Sequence, residues 1–296
     1  MNIDLSGKTA LVTGSTAGIG YAIAKGLAAS GASVVLNGRK QATVDAAVSK
    51  LSGDVKGAKV RGIAGDVSTA AGCKALVAAL PDVDILINNA GIFEPKEFVD
   101  IPDEDWTRLF ETNVMSGVRM ARSYLPGMLK RNWGRIIFIS SESALNIPTE
   151  MIHYGMTKTA QLAIARGLAK LTRGTAVTVN SVLPGPTMSE GVETFVKDLA
   201  RQNNQSETEA AANFVKQHRP GSLLQRFASV RRSPISSSSL HPRKPPSPMA
   251  RLSAPKAASS TRSPEANGFY SDALRKACWI KACWIKACWI AISTGK

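Results

Sequence analysis

Tyr154 and Lys158 stand four residues apart in a stretch with helical spacing. Residues at that separation share one helix face, so the ammonium can lie beside the phenol. A nearby cation favours the phenolate and draws a pKa that starts at about 10 toward the range useful for proton transfer. On its own such a pair is most often a surface pair of an exposed helix. A second signal lies near the N-terminus, in the turn Thr13-Gly14-Ser15-Thr16-Ala17-Gly18-Ile19-Gly20. Glycines let a backbone approach a pyrophosphate, and a helix opening at that point offers unpaired N–H groups and the positive end of its dipole. Read alone, the turn is equally a tight connection. Its three residues between Gly14 and Gly18 also depart from the G-x-G-x-x-G spacing.

The elements that would position these residues alternate regularly. Short β-branched runs at residues 9–13, 33–37, 59–64, 84–88, 135–140 and 176–181 read as strands, each nearly continuously apolar, as in a sheet covered on both faces. Between them, Ala- and Leu-rich stretches at 19–30, 41–51, 69–80, 103–130 and 152–172 read as helices, with Gly31 as a stop and Asp103 as a start. Repeated βαβ units predict an α/β fold, a doubly wound parallel sheet between helix layers. The glycine turn then falls at the first strand-to-helix connection. Residues 186–218 carry polar, Ala-rich helical text, an insertion expected over the carboxyl ends of the strands, where such sheets bind ligands.

The glycine spacing resembles that of the short-chain dehydrogenase/reductase family, and further motifs follow in that family's order. Asn88-Asn89-Ala90-Gly91 ends the fourth strand, and Asn113 falls where the family carries a catalytic Asn. Ser141 precedes Tyr154 by thirteen residues, Tyr154 and Lys158 match Y-x-x-x-K, and Pro184-Gly185 with Thr187 follows the sixth strand. Ser140 and Ser143 flank Ser141, and the thirteen-residue spacing selects Ser141. The resemblance covers roughly residues 3–229 and implies a Rossmann-like NAD(P)-binding catalytic domain acting on a small carbonyl or alcohol substrate. It implies that Ser141 holds the substrate oxygen, that Tyr154 exchanges its proton, and that Asn113 holds a water linking Lys158 to solvent. The cofactor residues it implies are Gly14, Ser15, Gly18, Ile19, Gly20, Asp66, Val67, Asn89, Ala90, Gly91, Tyr154, Lys158, Pro184, Gly185 and Thr187. Gly38 takes the place where NAD users carry Asp, and Arg39 follows it, so NADP(H) is expected in preference to NAD(H). No metal is expected: His153 has no Cys, His or Asp cluster around it and reads as a packing or pocket residue. Cys73 reads as a buried apolar side chain.

The chain of 296 residues has a net charge of +15, which would suggest a nucleic-acid partner if it covered one folded surface. Instead residues 230–296 hold 12 of the 37 Lys and Arg and only Glu265 and Asp272 of the 22 acids, leaving residues 1–229 at +5. That segment is Ser/Pro-rich, reads as disordered, and ends in a KACWI repeat whose period of five fits neither helix nor strand. No nucleic-acid or membrane partner is therefore expected, although the basic tail as a nucleic-acid arm is the competing reading. Three of the four Cys sit in the repeat, which excludes a disulfide framework and points to a reducing, cytoplasmic setting.

The resemblance stops abruptly after residue 229, where the family continues with a helix, a seventh strand and a short terminus. Members commonly form homo-oligomers through that edge, so the interface, the last strand and activity are all expected to be affected. One back-translation of residues 249–265, read with a one-base offset, gives NGAALRAEGGIVHEIA and a stop. Residues 231–235 in the same offset can read EEVAN. The tail is thus expected to be out-of-frame translation beginning near codon 230, which leaves a non-catalytic dinucleotide binder or an inactive product as the alternative to an enzyme. The nucleotide sequence of the gene across codons 230–265 tests this: codons incompatible with that offset would refute it.

Overall fold

The computed structural model describes residues 3–222 and 224–230, all within one compact unit. The tail expectations, disorder and offset translation included, concern residues that lie outside the described ones. Six strands form one parallel sheet in the order β3-β2-β1-β4-β5-β6. They are β1 (Thr9–Val12), β2 (Ser33–Gly38), β3 (Val60–Ala64), β4 (Ile85–Asn88), β5 (Gly134–Ile139) and β6 (Val177–Val182). Helices α1 (Gly18–Ala29), α2 (Gln41–Asp54), α3 (Ala70–Ala79), α4 (Asp103–Phe110), α5 (Ser116–Lys130) and α6 (Ile152–Leu171) connect them. This is the doubly wound, Rossmann-like arrangement, and no described helix is long and apolar enough to cross a membrane.

Two cores lie on opposite faces of the sheet, and alternate residues of each central strand feed them. Val12, Val34, Leu36, Ile85, Ile87 and Ile137 pack with Ala24 and Leu27 of α1 and Leu51 of α2. Leu11, Val35, Leu86, Ile136 and Phe138 pack with Leu76 of α3, Met120 and Tyr124 of α5 and Ala165 of α6. Burial on both faces is why the central strands read as unbroken apolar runs. The outer strands differ from that expectation. β3 contains the exposed Arg61, and β6 alternates buried with half-buried residues, because each has a single strand neighbour among the described residues.

The single helix expected over residues 103–130 is present without a break but widens at one turn. A wide π-type turn at Glu111–Met115 joins α4 to α5. Gln161 Nε2 donates to the Asn113 carbonyl at 2.6 Å, which draws that acceptor away from the helix's own ladder. The insertion folds as α7 (Glu190–Gln202) and α8 (Glu207–His218), the latter opened by a reciprocal Ser206–Glu209 capping box. It also contains something its polar sequence does not announce. Strand β7 (Thr187–Met188) pairs in parallel with β8 (Ala228–Ser229), tying the chain after α8 back beside the end of β6.

The carboxyl ends of the strands are stitched together by buried polar side chains. Asn37 at the end of β2 donates Nδ2 to the carbonyls of Ile63 and Gly65, both at 3.1 Å, and its Oδ1 faces the Gly14 N–H. Replacing Asn37 with Ala strands those half-buried carbonyls, a loss of about 1 kcal/mol. We expect a lower urea midpoint with an unchanged m-value for Asn37→Ala; an unaltered midpoint would show that solvent satisfies these groups.

Candidate active site

At the centre of the sheet the chain turns to opposite sides after β1 and β4, which opens a crevice above their ends. Thr13 governs that junction: its Oγ1 accepts the N–H of Asn89 and of Ala90, each at 3.0 Å. Asn89 returns the contact through Nδ2, which donates to the carbonyls of Thr13 and Gly14. Ser15 is buried, accepts the Asn37 N–H at 3.0 Å and donates to the Val12 carbonyl at 2.7 Å. The glycines satisfy close approaches within the protein as well as any ligand. Gly14 has φ +59° and Gly18 φ +57°, and a Cβ on Gly20 would overlap the Gly14 carbonyl and the Asn89 amide.

The crevice is lined by Gly18, Ile19 and Gly20 at one end and by Asn89, Gly91, Ser141, Tyr154, Lys158, Pro184, Gly185 and Thr187 along its length. Most of the residues expected at the site thus converge on one cleft. Asn113 sits just beneath it. Its Oδ1 accepts the Ile92 N–H at 2.8 Å, and its Nδ2 donates to the Ile92 carbonyl and the Thr157 hydroxyl. A methyl added to Gly91 would meet Asn113 Oδ1 at 3.3 Å and Lys158 Nζ at 3.4 Å, so both point at this glycine from opposite elements. Arg39, Asp66 and Val67 are not among the lining residues. Arg39 is exposed beyond the end of β2, Asp66 accepts the Ser68 N–H after β3, and Val67 is packed in the core beside Cys73.

Ser141 ends the segment after β5, where its Oγ accepts the Ser143 N–H at 3.1 Å. Its neighbours have other duties: the Ser140 hydroxyl donates to the Lys158 carbonyl, and Ser143 is buried. The first turns of α6 bring Tyr154 opposite Ser141. One expectation is corrected here. Lys158 does not draw the Tyr154 pKa down; burial pushes the phenol up to about 12, the Ser141 hydrogen bond opposes this, and Glu142 reinforces it. Lys158 Nζ lies 5.5 Å from the Tyr154 ring centroid and donates to the Ile139 carbonyl at 3.0 Å. Burial lowers its own pKa to about 8, so the pair is governed by desolvation rather than by mutual attraction.

The glycine end fits a dinucleotide. Helix α1 begins on Ala17 with no side-chain cap and no acid in its first turn, and its first backbone bond runs from Tyr21 N–H to the Ala17 carbonyl. The N–H groups before that bond face the cleft, as an anion requires. The opposite end falls where the sequence places substrate specificity, in residues 186–218 and around Glu142–Met151, although no individual contact there could be read from it. Phe93, Phe195, Phe214 and Phe227 form an edge-to-face and stacked series leading away from Tyr154. Arg219, just past α8, is held by Glu142 and Glu150. These residues come from five separate stretches of the chain, around positions 93, 142–150, 195, 214–219 and 227. His153 is fully buried against Trp106, outside the cleft lining, and burial lowers its pKa. Among the described residues no group of three or more His, Cys, Asp or Glu could hold a metal ion.

Comparison with known proteins matches this geometry to a family. Residues 8–200 match the model described as short chain dehydrogenase. The uncharacterized oxidoreductase YvaG of Bacillus subtilis is 51% identical over 227 residues, covering 77% of this chain and 86% of that protein. D-beta-hydroxybutyrate dehydrogenase of Cupriavidus necator is 34% identical over 220 residues, covering 73% of this chain and 84% of that one. Among solved structures, L-sorbose reductase of Gluconobacter frateurii, complexed with NADPH and L-sorbose, superposes with a TM-score of 0.72. It is 31% identical, covering 78% of this chain and 88% of that one.

The lowered pKa of Lys158 has a measurable consequence for stability. Between pH 8 and its unperturbed value of 10.5 the unfolded chain holds this proton and the folded chain does not, so stability gains as pH rises through that window. Above pH 10 the raised Tyr154 pKa works in the opposite direction, because the folded chain keeps a proton that the unfolded chain loses. Lys158→Met should therefore melt higher than the wild type at pH 7, by a margin that narrows between pH 8 and pH 10. A margin independent of pH would mean that the ammonium is not desolvated.

Proposed function

Because the chain belongs to the short-chain dehydrogenase family, we propose that it interconverts a ketone or aldehyde and the corresponding alcohol, with NADP(H) preferred over NAD(H). The observation that carries this reading is the convergence of Ser141, Tyr154 and Lys158 in one cleft with the uncapped start of α1. A nicotinamide cofactor, when bound, would supply or take up the hydride. Gly18, Ile19 and Gly20 would hold its pyrophosphate with their N–H groups. Gly185 and Thr187, whose hydroxyl donates to the Gly185 carbonyl at 2.9 Å, would border the nicotinamide.

Ser141 orients the substrate oxygen by hydrogen bonding, and Tyr154 transfers a proton at that oxygen. A phenol pushed up to about 12 carries its proton at neutral pH, the form that can donate as a carbonyl is reduced. Lys158, anchored on the Ile139 carbonyl and facing Gly91, keeps a cation-capable group next to Tyr154. Asn113 acts from below, fixing Ile92 and Thr157 and marking the route by which a water would connect Lys158 to solvent.

The preference for NADP(H) is supported by the end of β2, where Gly38 leaves no carboxylate for the ribose hydroxyls and exposed Arg39 offers a guanidinium to a phosphate. The NADPH complex of the sorbose reductase is consistent with it. Relatives named for D-beta-hydroxybutyrate and L-sorbose differ widely in substrate, so membership alone does not choose one.

Three measurements test the reading. Saturating NADPH, at about 100 times its dissociation constant, should stabilise the chain by about 2.7 kcal/mol in thermal unfolding. Tyr154→Phe should retain that shift while losing at least about 100-fold in kcat. Equal turnover by Tyr154→Phe would remove Tyr154 from the proton transfer, whereas a thermal shift with NADPH but no wild-type turnover would leave a dinucleotide-binding protein. Comparable kcat/KM with NADH and NADPH would remove the cofactor preference.

A further inference from the structure

The end of the cleft away from the glycine turn is walled by rings. Phe93 meets Tyr154 edge to face at 6.3 Å and Phe195 at 6.5 Å, Phe195 meets Phe214 at 5.2 Å, and Phe214 stacks on Phe227 at 6.0 Å. Met151 and Val192 fill the spaces beside them. Such a wall favours a planar, apolar group with its ring edge or face against the phenylalanines.

The Arg219 guanidinium borders this wall over the Phe214 ring, and it is already engaged. Arg219 is 7% exposed; its Nε donates to Glu142 Oε1 at 2.9 Å, and its Nη1 donates to Glu150 Oε1 at 2.8 Å and to the His218 carbonyl at 2.6 Å. Two carboxylates therefore face one guanidinium. Glu142 directly follows Ser141 and itself lines the cleft, as Arg219 does. A substrate carboxylate reaching this end would find Nε and Nη1 of Arg219 engaged and would meet the like charge of two carboxylates in a setting poorly screened by water.

We propose that this end of the cleft takes the uncharged aryl portion of a carbonyl substrate, and that Glu142 and Glu150, two carboxylates set against the single Arg219 guanidinium, exclude substrates carrying a carboxylate there. The inference rests on the oxidoreductase reading above and adds the substrate class. Glu142 and Glu150 act through Arg219, as specificity-determining positions rather than as catalytic residues.

The test compares methyl 4-formylbenzoate with 4-formylbenzoate, an aldehyde pair of nearly equal shape that differs in one charge, using the full chain and NADPH. Wild type should reduce the ester with kcat/KM at least about 30-fold above the acid, the difference lying mostly in KM. In Glu142→Gln/Glu150→Gln the guanidinium is released, and the ester-to-acid ratio should fall at least tenfold. Any change at Tyr154 cancels in that ratio, because both probes present the same carbonyl. Wild-type efficiencies within threefold of each other, or a preference for the acid, overturn the proposal without needing a variant. An unchanged ratio in a double variant that still melts cooperatively and shifts with NADPH overturns it as well. Binding of NADPH without reduction of either aldehyde refutes the aryl assignment alone, whereas neither binding nor turnover refutes the oxidoreductase reading beneath it.

Discussion

The Thr13 hydroxyl, accepting the N–H groups of Asn89 and Ala90, is the contact on which the site depends. Strands β1 and β4 are neighbours whose following segments leave on opposite sides of the sheet, so the backbone groups at their ends lose ladder partners where the cleft opens. One side-chain oxygen satisfies two of those groups, and the Asn89 amide satisfies two carbonyls in return. The glycine turn is thereby held with its backbone facing the crevice. Gly20 must lack a side chain because the Gly14 carbonyl and the Asn89 amide already occupy that space.

Around this junction, desolvation sets the chemistry. The elements that bring Tyr154 and Lys158 together also remove both from water, and the effect has opposite signs for an acid and a base: the phenol rises to about 12 and the ammonium falls to about 8. The shared helix face argued for an ion-pair-like coupling, and the register on α6 does hold both groups in the cleft. Their separation and the engagement of Lys158 with the Ile139 carbonyl leave burial as the larger influence.

The substrate end obeys a different constraint. Helices α7 and α8 share a small core of Val196, Ala200 and Ala210, and the β7–β8 pairing fastens both ends of the excursion beside β6. The Arg219 cluster joins the end of α8 to the segment carrying Ser141 and Met151. The position of the insertion is thus coupled to that of the catalytic segment by charge as well as by apolar contact.

The six strands, the five intervening helical stretches, the parallel sheet and the glycine turn were legible in the sequence because each follows from periodicity within a few residues. Residues 152–172, for example, read as a helix in isolation, and α6 occupies that span almost unchanged. Asp103 to Lys130 read as one helix and is helical throughout, but the π-type turn within it was not legible, because the partner of the Asn113 carbonyl is Gln161, 48 residues away. The ring wall, the neutralised Arg219 and the β7–β8 strap were illegible for the same reason. Their contacts, up to 77 residues apart in Arg219–Glu142, exist only once the chain has folded. Local residue types determined which groups were available, and tertiary structure alone decided which were dry, which were paired and what faced the substrate.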